Sequence, residues 1–364
     1  MKIIDLHIIK KYLGTFAFML GLLTLIVLII DVQAKAPRIE SNGFSVTEFL
    51  IEFYPYWIVN LIITFMSILV FISVIFFTSR MANNTEIVAI ISSGASFHRF
   101  ARPYLITSTF IAGVALLLNH FVLPRANVKK NELEPYTYSA KSREEYIGNV
   151  EVAAQLSKTE YIFIKSYNQK ERRGSGFMYQ KFDKNRKLTY QIIANEFNWD
   201  DKKQHFVLNN YLEKTVRTND TEKLGNGDVM TKAFGHPPEE LFPGVLLGQN
   251  KTTPELISFI DREKEKGNAN LGNYLNELHQ RTSMPVSVII LTFLGLSLAS
   301  QKKRGGLGAN LAIGISLAFL FVFSFEALKV VSKNQTIPPL LAMWLPNLVF
   351  GPVALYLYFK RANQ

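Results

Sequence analysis

Six long apolar runs interrupt an otherwise polar chain, three before residue 125 and three after residue 280. They cover about 12–33, 56–79, 103–123, 283–300, 307–331 and 339–359. About twenty apolar residues at 1.5 Å per helical residue match the roughly 30 Å hydrocarbon core of a bilayer. The pattern therefore predicts six membrane-crossing helices. The fourth run is short and holds Pro285, which sets it apart from the others. The first has a competing reading as a secretory leader, because Lys10 and Lys11 precede it and Ala34-Lys35-Ala36 mimics a cleavage site. Its stretch 13–30 is longer than a usual leader core, and Pro37 directly after the mimic argues against cleavage, so it is read as a span.

The stretch "SRMANNTEIVAIISSGASFHRFARP" (79–103) separates the second and third runs. Ile87, Ile90 and Ile91 fall at i, i+3 and i+4, one face of a helix over about 83–95. Asn83 would cap its start, with Glu86 three residues on, and Gly94 would end it. The apolar face of such a helix would be available to a membrane surface or to a groove on a partner. Glu86 reads either as a residue of the first turn favoured by the helix dipole or as a partner contact; the two are compatible.

Residues 124 to about 250 read as β structure. "TEYIFIKSY" (159–167), "SGFMYQKFD" (175–183), "KLTYQIIANEFNWD" (187–200) and "QHFVLNNYLEKTV" (204–216) are rich in β-branched and aromatic residues, with turn-forming clusters between them. Phe177 and Tyr179 alternate with polar neighbours, as in a half-buried strand. An antiparallel meander or sandwich follows from the spacing. The segment 252–281 reads as two helices broken near Gly267, the first capped by Thr253 with Pro254 at its first position. The second leads into the fourth span and carries Glu277 and Arg281 four apart, either as local helix support or as a link between the β region and the spans. The chain thus divides into 1–123, 124–250 and 251–364.

The net charge of +11 suggests nucleic acid until it is located. Between Arg125 and Gln280 there are 24 Lys/Arg against 22 Asp/Glu, so the polar middle is nearly neutral. The excess flanks the spans. Lys2, Lys10, Lys11, Arg80, Arg99, Arg102, Lys302, Lys303, Arg304, Lys360 and Arg361 face only Asp5 and Glu86 on the same side. That is the positive-inside pattern, and it puts both termini and the 80–102 and 301–306 loops in the cytoplasm, with the β region outside. No nucleic-acid partner is implied.

Little in the chain resembles an active site. It lacks a G-x-x-x-x-G-K-[ST] phosphate loop, and "GGLGAN" (305–310) reads as a tight turn. The histidines, His7, His98, His120, His205, His236 and His279, are scattered, and there is no cysteine, so no metal site or catalytic residue is proposed. Two polar features in or near the spans stand out. Glu326 and Lys329 lie three apart in the fifth run, as an ion pair near the interface or as part of a pathway. Lys35 and Arg38 lie past the first run on the outer side, as headgroup anchors or as a site for an anionic lipid.

Six segments carry a resemblance. "TEIVAIISSGASFHRFARP" is similar to the coupling-helix segment of the lipopolysaccharide export permeases, the LptF/LptG family. "IIKKYLGTF" (8–16), "LPRAN" (123–127), "TPELISFIDREKEKGN…YLNELHQRTSMP", "KKRGGLGANLAIG" (302–314) and "IPPLLAMWLPNLVF" (337–350) resemble other segments of the family in the same order. The resemblance implies a polytopic α-helical membrane protein with six transmembrane helices and an inserted extracytoplasmic all-β, jellyroll-like domain. It implies a bacterial inner-membrane permease subunit of an ABC transporter that extracts lipopolysaccharide and passes it to a periplasmic bridge. Its partners would be a cytoplasmic ABC ATPase dimer, a second homologous permease subunit and a bitopic LptC-type protein. ATP would be bound by the ATPase subunits, with no cofactor in this chain. Glu86, Ile87, Ile90, Ile91 and Gly94 would belong to the ATPase contact, and Lys35 and Arg38 to the lipid site. F and G types are not separated by these segments. A membrane-anchored binding or assembly protein with an outer β recognition domain remains the alternative, and an intramembrane enzyme using Glu326 a remoter one.

Overall fold

The structure is a computed structural model that describes residues 3–137, 152–168, 171–216, 221–235, 237–241, 248–266, 271–301, 306–334 and 336–363. Six helices among these are long and apolar enough to cross a membrane. They are α1 (Ile3–Ser41), α3 (Tyr54–Asn83), α5 (Phe97–Leu117) with its continuation, α9 (Gly272–Ala299), α10 (Gly306–Lys333) and α11 (Pro339–Ala362). Shorter helices α2 (Val46–Glu52) and α4 (Glu86–Ser92) connect the first three.

The fourth run, the doubtful one in sequence, forms the centre of the bundle. More than half of the most apolar window of α9 is buried, the largest share of any span. Pro285 lies inside this helix without ending it. The missing N–H of a proline frees the carbonyl four residues back, here that of Arg281, which lies towards the sheet end of the helix. Asn347 of α11 donates to the Ser283 carbonyl at 2.7 Å, and Ser67 of α3 donates to the Met284 carbonyl at 3.2 Å. Leu291, Leu294 and Leu296 then fill the space against α3 and α11.

The third span does not stop at residue 123. A π turn (Leu118–Val122) leads straight into α6 (Leu123–Leu133) and a 3₁₀ turn (Glu134–Thr137). Residues 124–137, read as the start of the β region, are therefore helical. Pro124 sits at the second position of α6, immediately after the π turn that joins it to the third span.

The β region proper is one open antiparallel sheet. Its strands are β1 (Val152–Ser157), β2 (Glu160–Ile164), β3 (Ser166–Asn168), β4 (Arg173–Phe182), β5 (Leu188–Asp200), β6 (His205–Val216) and β7 (Glu222–Lys232), in the order β1-β2-β4-β5-β6-β7 with β3 also on β4. This is the expected inserted β domain, as a meander and not a closed barrel. One face is aromatic: Phe177, Tyr179, Phe197, Trp199 and Phe206 are buried there, with Leu241 of the short helix α7 (Pro238–Leu241). In β5 the buried positions are Ile192, Ala194, Phe197 and Trp199, so strict alternation slips by one residue mid-strand. Gly174 is required by close approach. A Cβ there would lie 2.3 Å from the Phe197 ring and 2.4 Å from the Ser166 carbonyl.

The return from sheet to bundle is fastened by polar side chains. Helix α8 (Thr253–Lys266) follows residues 248–252, and the break near Gly267 lies outside the described residues. Thr252, not Thr253, stands at the start of α8: its N–H donates to Glu255 at 2.8 Å, half of a capping box. The Thr253 hydroxyl is instead bound by Arg281. Arg281 is 1% exposed, and its guanidinium reaches Glu277 at 2.9 Å, Thr253 at 3.1 Å and the Gly248 carbonyl at 3.0 Å. From α6, Asn127 donates to the Gln249 carbonyl and Asn131 to the Asn250 side chain. The Glu277–Arg281 pair is thus both helix support and a tie between β region and spans.

Two expectations follow. Arg281→Ala leaves Glu277 without its cation and the Gly248 carbonyl without its donor. Loss of a buried partner of this kind is worth about 3 kcal/mol. Thermal unfolding in detergent should show a lower midpoint, and limited proteolysis should open residues 248–253 first. Gly174→Val forces β3 or Phe197 to shift, at about 1–3 kcal/mol, readable as accelerated proteolysis within the sheet while the spans stay protected.

Candidate functional site

The end of the bundle carrying both termini also carries α4. This helix has seven residues, Glu86–Ser92, and hangs between two left-handed turns, Thr85 at φ 61° and Gly94 at φ 89°. Gly94 does end it, where a residue without Cβ is favoured. Asn83 does not cap it: it is the last residue of α3, and Thr85 takes the capping position. The expected helix over 83–95 is shorter because these two turns consume its ends.

The apolar stripe faces inward. Ile87 is buried in the same apolar cluster as Ile8, Tyr12, Phe97 and Phe100, and Ile90 and Ile91 are partly buried against that cluster. Their face is therefore engaged within the chain at Ile87, while Ile90 and Ile91 remain half-buried. Val88 is exposed on the opposite side. A seven-residue helix holds no fold of its own, so burial of Ile87 is what seats it.

Glu86 belongs to a charge cluster that joins α1 to α4. Lys11 Nζ donates to its carboxylate at 2.7 Å, Asn84 donates at 3.3 Å, and His7 Nε2 lies at 4.0 Å. Partial burial would raise the Glu86 pKa, but the bonds from Lys11 and Asn84 and the charges of Lys11 and His7 together hold it below the ordinary carboxylate value. Beside it, Arg99 at the start of α5 donates to the buried Asp5 at 2.8 Å. The sequence showed Lys11 and Asp5 only as charges near a membrane face; nothing in their spacing marks partners 75 and 94 residues away.

At the other end of α1, Lys35 is not the open cation that the sequence suggested. It pairs with Asp31 at 2.9 Å, one helical turn back, and is only 12% exposed. The rings of Phe53 and Trp57 lie 5.9 Å from its ammonium, and Tyr54 donates to Asp31 at 3.0 Å. Asp31, overlooked in the sequence, is the signal: an acid four residues before a lysine in an apolar run. Arg38 is exposed on the next turn. The helix runs through Pro37 to Ser41.

Glu326 and Lys329 do meet, at 3.7 Å, near the end of α10 on the sheet side of the bundle. Glu326 is exposed from the bundle surface, so the pair lies outside the core and lines no enclosed site. Among the described residues no three His, Asp or Glu side chains converge on a metal-sized site.

The apolar faces are uneven. None of the most apolar window of α1 is buried, and under a quarter of that of α10 is. Phe18 on α1 and Phe319 on α10 are 68% and 72% exposed. On the sheet, Lys232 is set over the rings of Tyr190 at 4.3 Å and Tyr179 at 4.6 Å. Burial pulls its ammonium pKa down, while Glu213 and Glu160 oppose this. This cation on an aromatic face has no sequence signature, since its partners come from four different strands, β2, β4, β5 and β6.

Comparison with curated proteins finds no matching relative. The family model of the lipopolysaccharide export system permease LptF/LptG matches residues 6–360, nearly the whole chain. Together with six membrane-length helices and an inserted sheet, this match places the chain: it is a multi-pass membrane protein that belongs to the LptF/LptG family of lipopolysaccharide export permeases.

Proposed function

We propose that this chain is one permease subunit of an ABC-type exporter that lifts lipopolysaccharide from the inner membrane towards a periplasmic bridge. The family match over residues 6–360 carries this reading. In it, both termini and α4 face the cytoplasm and the sheet faces the periplasm, in keeping with the distribution of Lys and Arg. ATPase subunits bind at α4 and supply the energy. A second homologous permease covers the bare faces of α1 and α10, and a bitopic LptC-type protein meets the sheet. The uncovered apolar windows of α1 and α10 favour a partner span or acyl chains beside them.

Within this reading the roles expected from the sequence are divided as follows. Ile87, Ile90 and Ile91 seat α4 within the chain, so the ATPase contact falls to its outward side at Val88, with Glu86 at the edge. Gly94 supplies the turn that aims it. On the lipid side, Arg38 is the exposed cation for a phosphate headgroup, and Lys35 is held back by Asp31. Glu326 and Lys329 form an interfacial pair beside the bare face of α10.

The test is purification of the tagged chain in mild detergent with mass spectrometry of what accompanies it. An ABC ATPase and a second six-span permease are expected. Recovery of the chain alone, repeated in nanodiscs after gentle extraction, overturns the reading in favour of a membrane-anchored binding protein. Val88→Glu should reduce ATPase recovery at least about tenfold, the equivalent of 1.4 kcal/mol, with the permease still folded; unchanged recovery would remove α4 from the contact. Arg38→Glu should weaken photo-crosslinking of lipopolysaccharide from α1 more than Lys35→Ala does. Equal effects would return Lys35 to the lipid site.

A further inference from the structure

Helix α1 is gripped at its ends and bare between them. At one end Ile39 is buried with Phe49, Phe53 and Tyr54, and Lys35 and Asp31 are tied to Tyr54 and the neighbouring rings. At the other, Ile8 and Tyr12 are fully buried, and Tyr12 shares a 2.7 Å hydrogen bond with Thr292 of α9. None of the apolar window between is buried within the chain. A helix of 39 residues spans about 58 Å at 1.5 Å per residue. Held in this way, it behaves as a beam on two supports.

The support at the terminal end is made of two charge pairs and not only of packing. Lys11–Glu86 joins α1 to α4, and Asp5–Arg99 joins α1 to the first turn of α5. Helix α4 cannot hold its own position. It is seven residues long and bounded by left-handed turns at Thr85 and Gly94. Between α1, α3 and α4 lies an open cleft of about 330 Å³ lined by Lys11, Thr15, Phe77, Arg80 and Asn84. A displacement of α4 therefore meets space on the α3 side but a charge pair on the α1 side.

We infer that Lys11 and Asp5 are positioning residues: they make the inclination of α1 follow the position of α4. The inference rests on the proposed docking of an ATPase at α4 and adds where the resulting displacement goes. Of the spans near α4, α3 is fixed by its burial against α9, and α5 by Tyr104, whose ring stacks on Phe77 of α3 and whose hydroxyl meets Thr78. Only α1 carries a direct ion pair to α4 and has an unpacked middle that is able to move. The Asp5–Arg99 pair adds a second tie six residues back along α1, about 120° round the helix from Lys11 at 100° per residue, so α1 is turned and not merely pulled. The wall beside a membrane-bound substrate would then shift with each ATPase cycle.

The experiment uses the chain reconstituted in nanodiscs with the subunits that co-purify with it. Spin labels at Leu22→Cys on α1 and Val353→Cys on α11 report the bare middle of α1 against the bundle, in a chain that has no cysteine of its own. The wild-type background should show a nucleotide-dependent change in this distance. Lys11→Met and Asp5→Arg should retain the ATPase and its hydrolysis but lose the change, and should release at least about fivefold less lipopolysaccharide per ATP. The double reversal Asp5→Arg with Arg99→Asp should recover both. If Lys11→Met and Asp5→Arg keep the wild-type distance change and lipid yield, the inference is overturned. Should Asp5→Arg fail to fold, Lys11→Met at its half-exposed position decides alone. If no ATPase accompanies the wild type, the functional reading falls, and the clamp is judged on the chain by itself. There Lys11→Met should broaden the distance distribution, and an unchanged distribution would sink it.

Discussion

A polar side chain inside an apolar slab has to find its partner on a neighbouring helix, and this constraint sets how the spans here stack. Each span that packs centrally contributes such a pair. Ser67 of α3 receives a hydrogen bond from Ser287 of α9 at 2.8 Å, and Thr78 of α3 meets Tyr104 of α5 at 3.0 Å. Asn310 of α10 donates to Ser79 of α3, and Ser332 of α10 donates to Asn276 of α9. In α1 such bonds lie at the two ends of the apolar run, Tyr12 to Thr292 and Asp31 to Tyr54. Pairs of this kind are individually worth about 1 kcal/mol in membranes. Their value here is registry: they determine which turn of one helix lies beside which turn of the next.

The same constraint separates what is rigid from what is free. Helices α3 and α9 are joined by hydrogen bonds and closely packed side chains along much of their length. Helix α1 is joined to them only towards its ends. An exporter of a lipid with a large anionic head needs a fixed frame and one movable wall. The distribution of polar pairs is compatible with such a division, since α1 has fewer ties to its neighbours than α3 and α9 have to each other.

The six spans were legible because apolar run length is a one-dimensional property, and the doubtful fourth run turned out central for a reason outside it. Asn347 and Ser67 tie the turn beside Pro285 to α11 and α3 from positions 62 residues later and 218 earlier, which no local pattern reveals. The strands at 159–216 were legible from alternation and turn residues, with Phe177 and Tyr179 inward as expected. Residues 124–137 were misread because a polar segment after a span looks like a departure from helix. The period of Ile87, Ile90 and Ile91 correctly indicated a helix but not which surface it would cover, since periodicity identifies an apolar face and says nothing of what fills it. The charges showed the same limit. Glu86 was singled out, yet Lys11, Asp5 and Asp31, which decide what Glu86, Arg99 and Lys35 do, were visible only as entries in a charge balance.

The π turn at Leu118–Val122 has a geometric role in this design. A π turn holds one residue more than the α-helical turn it replaces, and one residue is about 100° of helical rotation. Without it, α6 would leave the bundle rotated by that angle, and Asn127 and Asn131 would point away from Gln249 and Asn250. The third span thus carries a phase correction. Its lower half keeps step with the apolar packing of the membrane, its upper half with the polar attachment of the sheet, and a single extra residue reconciles the two periods.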